Sequence, residues 1–120
     1  MDNITLVLGA SLKPERYSNR SIHALIDNNY GVMAFGLRAG NIRGVEVHNK
    51  LPQKIVIDTV TLYLNTGRQK EYYSYLVDLK PRRVIFNPGT ENFELISILE
   101  KEGIITEIAC TLVLLSIGNY

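Results

Sequence analysis

Short apolar runs alternate along the chain with segments whose apolar residues recur at helical spacing. Ile4–Leu8, for example, is a short apolar run that ends at Gly9, which is typical of a strand covered on both faces. The pattern predicts strands at Ile4–Leu8, Val32–Phe35, Thr59–Leu64, Arg83–Asn87 and Thr106–Ala109, with a short edge strand at Val45–His48. It predicts helices at Ser18–Asn29, along the stripe Tyr72, Tyr75, Leu76 and Leu79, after Thr90, and from about Thr111.

Polar residues at the helix ends refine these predictions. Ser18 suits the N-cap of the first helix, and Thr66 and Gln69 have the spacing of a capping box before the second. Thr90 suits the N-cap of the next helix, which we expect to end at Gly103.

Strands that alternate with helices of about ten residues imply right-handed crossovers and a parallel sheet. We therefore predict an α/β protein with a three-layer, Rossmann-like, doubly wound and mainly parallel sheet of about five strands. A length of 120 residues without a linker or repeat favours one domain over residues 1–120.

Composition restricts the partners. The formal net charge is +1 and charged residues are 21% of the chain, so nothing global attracts nucleic acid or a membrane surface. Cys110 is the single cysteine, which rules out an internal disulfide. The start "MDNITLVLGAS" has no basic segment typical of a signal peptide, and no apolar run approaches the roughly 20 residues of a membrane span. We expect a cytoplasmic protein whose anion binding, if any, is local.

The stretch "LVLGASLKPERYSNRSIHAL" follows the first strand, where doubly wound sheets bind their ligands. Gly9 permits a tight turn, and the small Ala10 and Ser11 allow the backbone to approach a ligand closely. The amide end of the next helix favours an anion, and Lys13, Arg16 or Arg20 would add charge. The loop therefore predicts a phosphate site.

The rest of the dinucleotide pattern is incomplete. G-x-G-x-x-G needs three glycines, and this loop has Gly9 followed by Ser11. The second strand is followed by Gly36-Leu37-Arg38, and an arginine there suits a phosphate on the ribose. NADP and coenzyme A both carry such a phosphate, so the residues alone leave both ligands open.

The sequence resembles the small CoA-binding domain proteins, whose fold is shared with the nucleotide-binding part of the succinyl-CoA synthetase alpha subunit. The similarity lies in Gly9-Ala10-Ser11, Lys13-Pro14, Ser18, Tyr30-Gly31, "IRGVEVHNKLP" and "RRVIFNPGTEN". The chain departs from the family after the second strand, where Gly36-Leu37-Arg38 keeps the base but lacks the usual Asn-Pro.

The resemblance implies a binding site for coenzyme A or an acyl-CoA. Gly9 to Lys13 would hold the pyrophosphate, Arg38 the nucleotide end, and the turns beginning at Asn65 and Asn87 would complete the cleft. The full set of expected binding residues is Gly9, Ala10, Ser11, Lys13, Ser18, Arg20, Arg38, Asn65, Thr66, Arg68, Asn87, Pro88 and Gly89.

No catalytic constellation is visible. His23, His48 and Cys110 lack partners at useful spacing, and the sequence predicts no metal site. Lys70–Leu76 does not have the Tyr-x-x-x-Lys order of short-chain dehydrogenases. We therefore predict non-catalytic binding of a small nucleotide ligand by a monomer or homodimer, with any protein partner left open.

Two alternatives remain. One is an NADP-dependent reductase, or a subunit of one, with Tyr63 or Tyr72 as the proton donor. The other is a ligand-free interaction module in which the apolar segment 111–117 packs on the domain or pairs two chains.

Overall fold

The computed structural model describes residues 3–120. Met1 and Asp2 lie outside the described residues. They are the first residues of the predicted domain and of the stretch "MDNITLVLGAS". The strands are β1 (Ile4–Leu8), β2 (Gly31–Phe35), β3 (Gly40–Ile42), β4 (Val45–His48), β5 (Thr59–Leu62), β6 (Arg83–Phe86) and β7 (Ile105–Ile108). The helices are α1 (Tyr17–Asp27), α2 (Thr66–Gln69), α3 (Tyr73–Leu79), α4 (Phe93–Lys101) and α5 (Thr111–Ser116), with a 3₁₀ turn at Lys70–Tyr72.

All the described strands share one sheet, in the order β3-β4-β2-β1-β5-β6-β7. Every neighbouring pair is parallel except β3 and β4. The predicted Rossmann-like α/β fold is confirmed, with seven strands in place of about five. The chain leaves β1 in one direction and returns to β5 on its other side, so the strand order reverses between β1 and β5.

The strand that the sequence did not predict is β3. It pairs antiparallel with β4, and Ile42 lies opposite Val45. The two residues between them, Arg43 and Gly44, have φ of 51° and 91°. Two successive positive φ values make a two-residue hairpin turn, for which Asn-Gly is the usual sequence. Arg-Gly gives a weaker signal, and a three-residue strand shows no alternation.

Side chains from successive strand positions enter two cores. Leu6, Leu8, Val60, Leu62 and Phe86 point to one face, where α3 and α4 cover them. Val7 and Ala34 point to the other face, where α1 contributes Ile22 and Leu25. Burial on both faces explains why these strands appear in the sequence as short, nearly continuous apolar runs.

Three predicted helix caps are wrong. The first helix begins at Tyr17, with Arg16 at its N-cap, so Ser18 lies inside the helix. Asn65 caps α2 in place of the predicted Thr66 and Gln69 pair, because its side chain accepts the Arg68 N–H. Asn92, and not Thr90, caps α4 and accepts the Leu95 N–H. The glycine predicted to end α4, Gly103, follows it with φ of 78°.

The apolar C-terminal segment packs on the domain. Helix α5 contacts α1, and Leu115 is buried in the same core as Ile22. Val113 and Ile117 point outward and are 52% and 61% exposed. Within residues 3–120, no helix has the length and apolar character needed to cross a membrane.

Lys80 ends α3 in a left-handed conformation, with φ of 49° and ψ of 55°. An L-residue pays a steric cost there that glycine avoids. We expect Lys80→Gly to raise the free energy of unfolding by about 0.5–1 kcal/mol, measured by urea denaturation. Lys70 has helical φ and ψ of −57° and −40°, so Lys70→Gly should lower the same quantity by about 0.5–1 kcal/mol. Equal effects of the two substitutions would contradict this account.

Candidate functional site

A cavity of about 1040 Å³ lies at the carboxyl edge of the sheet. Its walls come from the segments that follow β1, β2, β5 and β6, together with the start of α1. This is the place where the strand order reverses, and it is where open α/β sheets bind their ligands. The volume is at the upper end of the range for small-molecule sites, so the cavity suits a large ligand.

Gly9 makes the bend that opens the cavity. Its φ is 98°, and a Cβ at this position would lie 3.1 Å from the Tyr63 carbonyl carbon at the end of β5. The amides of Gly9 and Ala10 both donate to the Phe35 carbonyl, at 2.9 and 2.8 Å. These two amides are therefore already bonded within the protein. The bend shapes the cavity, and its two amides are not free to bind a ligand.

Hydrogen bonds of Ser11 and Ser18 fix the conformation of the loop that follows Gly9 and Ala10. The Ser11 N–H donates to the Ser18 hydroxyl at 3.1 Å, and the Lys13 N–H donates to the Ser11 hydroxyl at 3.1 Å. The buried Asn19 amide donates to the Ser11 carbonyl at 2.9 Å. These bonds hold the loop against the first turn of α1, so the predicted cap residue Ser18 acts as an anchor for the loop.

The start of α1 supplies free backbone donors. Arg16 makes no side-chain cap, and the first turn of the helix carries no acidic residue. The first N–H groups of a helix have no partner within it. Tyr17 and Ser18, whose amides are among these groups, line the cavity. The helix dipole and these amides favour an anion at this point.

The charges around the cavity are of one sign. Lys13, Arg16, Arg38 and Arg68 line it, and no aspartate or glutamate does. Other arginines of the protein are paired: Arg43 with Asp27, Arg82 with Asp58 and Arg83 with Glu107. Within residues 3–120, none of the four cavity cations forms an ion pair. The cavity is thus a local concentration of positive charge in a protein whose net charge is only +1.

Two tyrosines form opposite parts of the wall. The Tyr63 hydroxyl is hydrogen-bonded to the buried Ser21 hydroxyl of α1, and burial raises the pKa of Tyr63. Tyr72 packs edge-to-face on Phe35, with ring centroids 5.6 Å apart. Burial, together with the neighbouring Glu71 carboxylate, raises the pKa of Tyr72. Both phenols therefore stay protonated at neutral pH and form neutral surfaces.

Most of the predicted binding residues meet at this cavity. Those that line it are Gly9, Ala10, Ser11, Lys13, Ser18, Arg38, Asn65, Arg68, Pro88 and Gly89. Arg20, Thr66 and Asn87 do not. The Arg20 guanidinium lies over the Tyr17 ring, 5.4 Å from its centroid, and Thr66 is exposed at the start of α2.

The side chain of Asn87 forms its hydrogen bonds within the protein interior. Its amide nitrogen donates to the Thr61 hydroxyl at 2.7 Å and to the Leu62 carbonyl at 3.0 Å. Its amide oxygen accepts the Thr111 N–H at 2.9 Å. The residue is 1% exposed, so it joins β5, β6 and α5 and has no free group for a ligand.

The lining also includes residues that sequence reasoning did not place in the site. Leu12, Tyr17, Phe35 and Leu64 are among them, whereas Thr90 belongs to the turn that was expected to complete the cleft. Phe35 and Leu64 were considered only as strand residues, although their positions at the ends of two predicted strands carry the signal. Nothing in the sequence distinguishes Tyr17, which is 65% exposed, from an ordinary surface residue.

The residues that line the cavity include few groups that could act as a general acid or base or bind a metal ion. It contains no histidine, cysteine or carboxylate. Across residues 3–120, no group of three or more His, Cys, Asp or Glu side chains is placed to hold a metal ion. Hydroxyls and cations remain, and they suit binding of an anionic ligand.

The fold is a Rossmann-like α/β fold, and its cavity lies where such sheets bind their ligands. The family described as "CoA binding domain" matches residues 3–116. The chain therefore belongs to the CoA-binding domain family, and coenzyme A is the ligand with which that family is associated.

Solved structures share this fold. An uncharacterized protein of known crystal structure is 42% identical, with a TM-score of 0.95 over 100% of this chain and 99% of its own. A Thermus thermophilus protein called cell-free ID.343 is 20% identical, with a TM-score of 0.87 over 99% and 91% of the two chains. A search of curated proteins found no match.

A further similarity is to part of a larger enzyme. The dinucleotide-forming acetyl-coenzyme A synthetase 1 of Ca. Korarchaeum cryptofilum, solved in complex with phosphate and ADP, is 14% identical with a TM-score of 0.73. The match covers 87% of this chain and 25% of the synthetase. At this identity, the similarity concerns the fold alone.

Proposed function

We propose that this protein binds coenzyme A, or an acyl-CoA, in the cavity at the carboxyl edge of the sheet, without catalysing a reaction on it. The observation that carries the proposal is a set of four cations that form no ion pair within residues 3–120 and that surround a cavity lined by no carboxylate. Coenzyme A carries a diphosphate and a ribose 3′-phosphate. A ligand with two separate anionic groups fits cations that come from three different loops.

The positions of the cations suggest how the ligand lies. Lys13 and Arg16 flank the free amides at the start of α1, and this combination suits the diphosphate. Arg38 follows β2, where the ribose of a nucleotide lies in doubly wound folds, and suits the 3′-phosphate. The neutral pantetheine arm would then extend across the segments after β5 and β6.

Several features support binding without catalysis. The lining has no histidine, cysteine or carboxylate that could act as a nucleophile or general base. The Tyr63 hydroxyl is engaged by Ser21 and points toward α1. The raised pKa of Tyr63 and of Tyr72 keeps both phenols protonated and makes them weaker proton donors than an ordinary tyrosine.

Calorimetric titration of the wild-type protein with coenzyme A, dephospho-CoA, NADPH and NAD tests the proposal. We expect coenzyme A to bind more tightly than dephospho-CoA, which lacks the 3′-phosphate. Arg38→Gln should weaken coenzyme A about tenfold and leave dephospho-CoA nearly unchanged, because a charge-assisted hydrogen bond contributes about 1.5–3 kcal/mol. Arg43→Gln is the matched control, since Arg43 lies on the β3–β4 hairpin and pairs with Asp27. It should leave both affinities unchanged.

The other outcomes separate the alternatives. NADPH binding that is tighter than coenzyme A binding would favour the reductase hypothesis, and oxidation of NADPH with a carbonyl substrate would establish it. Absence of binding to all four ligands at millimolar concentration would favour the ligand-free interaction module. Release of free coenzyme A from an acyl-CoA would contradict the non-catalytic part of the proposal.

A further inference from the structure

Gln69 joins the two ligand-facing segments on the β5–β6 side of the cavity. Its amide nitrogen donates to the Leu64 carbonyl at 2.8 Å and to the Thr90 carbonyl at 2.8 Å. Leu64 and Thr90 both line the cavity, one after β5 and the other after β6. Gln69 itself is 1% exposed and does not line the cavity. Both amide hydrogens of one side chain thus tie together two loops that are 26 residues apart along the chain.

Asn92 fixes the other end of this side chain. Its amide nitrogen donates to the Gln69 carbonyl oxygen at 2.9 Å and to the Tyr73 hydroxyl at 2.8 Å. Its own oxygen accepts the Leu95 N–H and caps α4. Every polar atom of Gln69 is therefore satisfied, and its position is set by the start of α4. A buried and fully satisfied network of this kind holds one arrangement of the backbone.

The two loops that Gln69 joins differ from the rest of the cavity in charge. The segment Pro88–Thr90 carries no charged side chain, and in the facing wall Tyr63, Leu64 and Asn65 are also neutral. Arg68 supplies the one charge among the lining residues of this side, whereas Lys13, Arg16 and Arg38 lie on the side of β1 and β2. The part of the cavity that these two loops line, here called the slot, suits an uncharged, extended part of a ligand.

We propose that Gln69 is a positioning residue, which sets the spacing of the two loops that line the slot. This inference rests on the proposed function, which lays the pantetheine arm of coenzyme A across these loops, and extends it by assigning their spacing to one buried side chain. Gln69 acts through the Leu64 and Thr90 carbonyls and does not touch the ligand.

The test compares two ligands that share the nucleotide end. Coenzyme A has the pantetheine arm, and adenosine 3′,5′-bisphosphate lacks it. Gln69→Met keeps the volume of the side chain and removes both donors, so the two loops lose their link. We expect coenzyme A affinity to fall about tenfold in calorimetric titration, since small displacements of a binding wall have effects of this size. Affinity for the bisphosphate should change less than about twofold. Gln53→Met makes the same substitution at an exposed position and should change neither affinity.

A second variant keeps the test decisive if Gln69→Met does not fold. Asn92→Ser retains an oxygen that can cap α4 but removes the donor to Gln69. It should weaken coenzyme A in the same direction by a smaller factor and leave the bisphosphate unchanged. Equal loss for both ligands, or no loss for coenzyme A, would overturn the role of Gln69. If the wild-type protein binds neither ligand, the proposed function itself is wrong.

Discussion

Replacing Gly36 by alanine is expected to lower the free energy of unfolding by about 2–4 kcal/mol and to weaken coenzyme A binding more than about tenfold. A Cβ at Gly36 would lie 2.1 Å from the Ala10 carbonyl oxygen and 3.1 Å from its carbon. Both atoms belong to the backbone, so no side chain can rotate away. The Gly36 N–H also donates to the His48 carbonyl at 2.9 Å, which ties this residue to β4.

The clash at Gly36→Ala is expected to weaken ligand binding because it would displace Ala10, which lines the cavity. Ala10 lies in the bend that shapes the cavity, and its amide shares the Phe35 carbonyl with Gly9. Moving Ala10 would also move Ser11 and its bonds to the first turn of α1. The predicted loss of affinity is therefore a consequence of a shifted loop, since Gly36 has no side chain to contribute.

Gly67→Ala is the matched control for this experiment. Gly67 lies in α2 beside the cavity, and an added Cβ would meet only the Asn65 side-chain oxygen at 3.5 Å, an ordinary contact. Alanine is the better helix former, so the control should leave stability unchanged or raise it slightly. Chemical denaturation and calorimetry measure the two quantities. A Gly36→Ala protein with wild-type stability and affinity would show that the approach of Gly36 to Ala10 is not a real constraint.

The order of strands and helices could be predicted because each depends on local pattern. The buried strands appear as short apolar runs, and the helical stripe along Leu76 and Leu79 is visible at i and i+3. The strand Val45–His48 has the predicted bounds, but it does not lie at the edge of the sheet as predicted, because β3 pairs with its outer side. The neighbouring strand β3 was not predicted, because its three residues are too few to show an alternation of apolar and polar positions. The Arg-Gly turn that follows is not the usual hairpin sequence.

The helix caps show where local pattern fails. Ser18, Thr66 and Thr90 each stand at a plausible cap position, yet Arg16, Asn65 and Asn92 occupy the N-caps. In two cases the hydroxyl bonds to a residue that precedes the helix: the Ser18 hydroxyl accepts the Ser11 N–H, and the Thr90 hydroxyl donates to the Asn87 carbonyl. A capping motif covers only four residues. It does not show which of the nearby polar side chains will hydrogen-bond to another group of the folded chain and so leave the helix end to a different residue.

The location of the site could be predicted from the sequence better than its chemistry. A cavity lies at the edge of the sheet where the strand ends and the reversal of strand order predict a site, because both follow from the order of elements along the chain. The sequence could not show that the Gly9 and Ala10 amides are already bonded within the protein, where the Phe35 carbonyl accepts both. That bond joins two strands, and its formation depends on their register, which the sequence does not state.

Asn87 provides a test of this distinction between a ligand-binding residue and an internal one. The family resemblance placed it in the cleft, whereas its three hydrogen bonds are all internal and it is 1% exposed. Asn87→Leu keeps a similar shape and removes every polar atom of the side chain. The Leu62 carbonyl and the Thr111 N–H would then be buried without partners, while the Thr61 hydroxyl keeps its bond to the Thr111 hydroxyl.

We expect Asn87→Leu to lower the free energy of unfolding by about 3 kcal/mol, because each buried unpaired polar group costs about 1–3 kcal/mol. For a chain of this size, the midpoint of thermal unfolding should fall by roughly 10 °C. Coenzyme A affinity, measured well below that midpoint, should change less than about threefold, since no atom of Asn87 reaches the cavity lining. Asn49→Leu, at an exposed loop position, is the control and should alter neither quantity. A variant with wild-type stability but no affinity for coenzyme A would contradict this account. It would mean that Asn87 contacts the ligand and gives up its hydrogen bonds to β5 and α5 when the ligand binds.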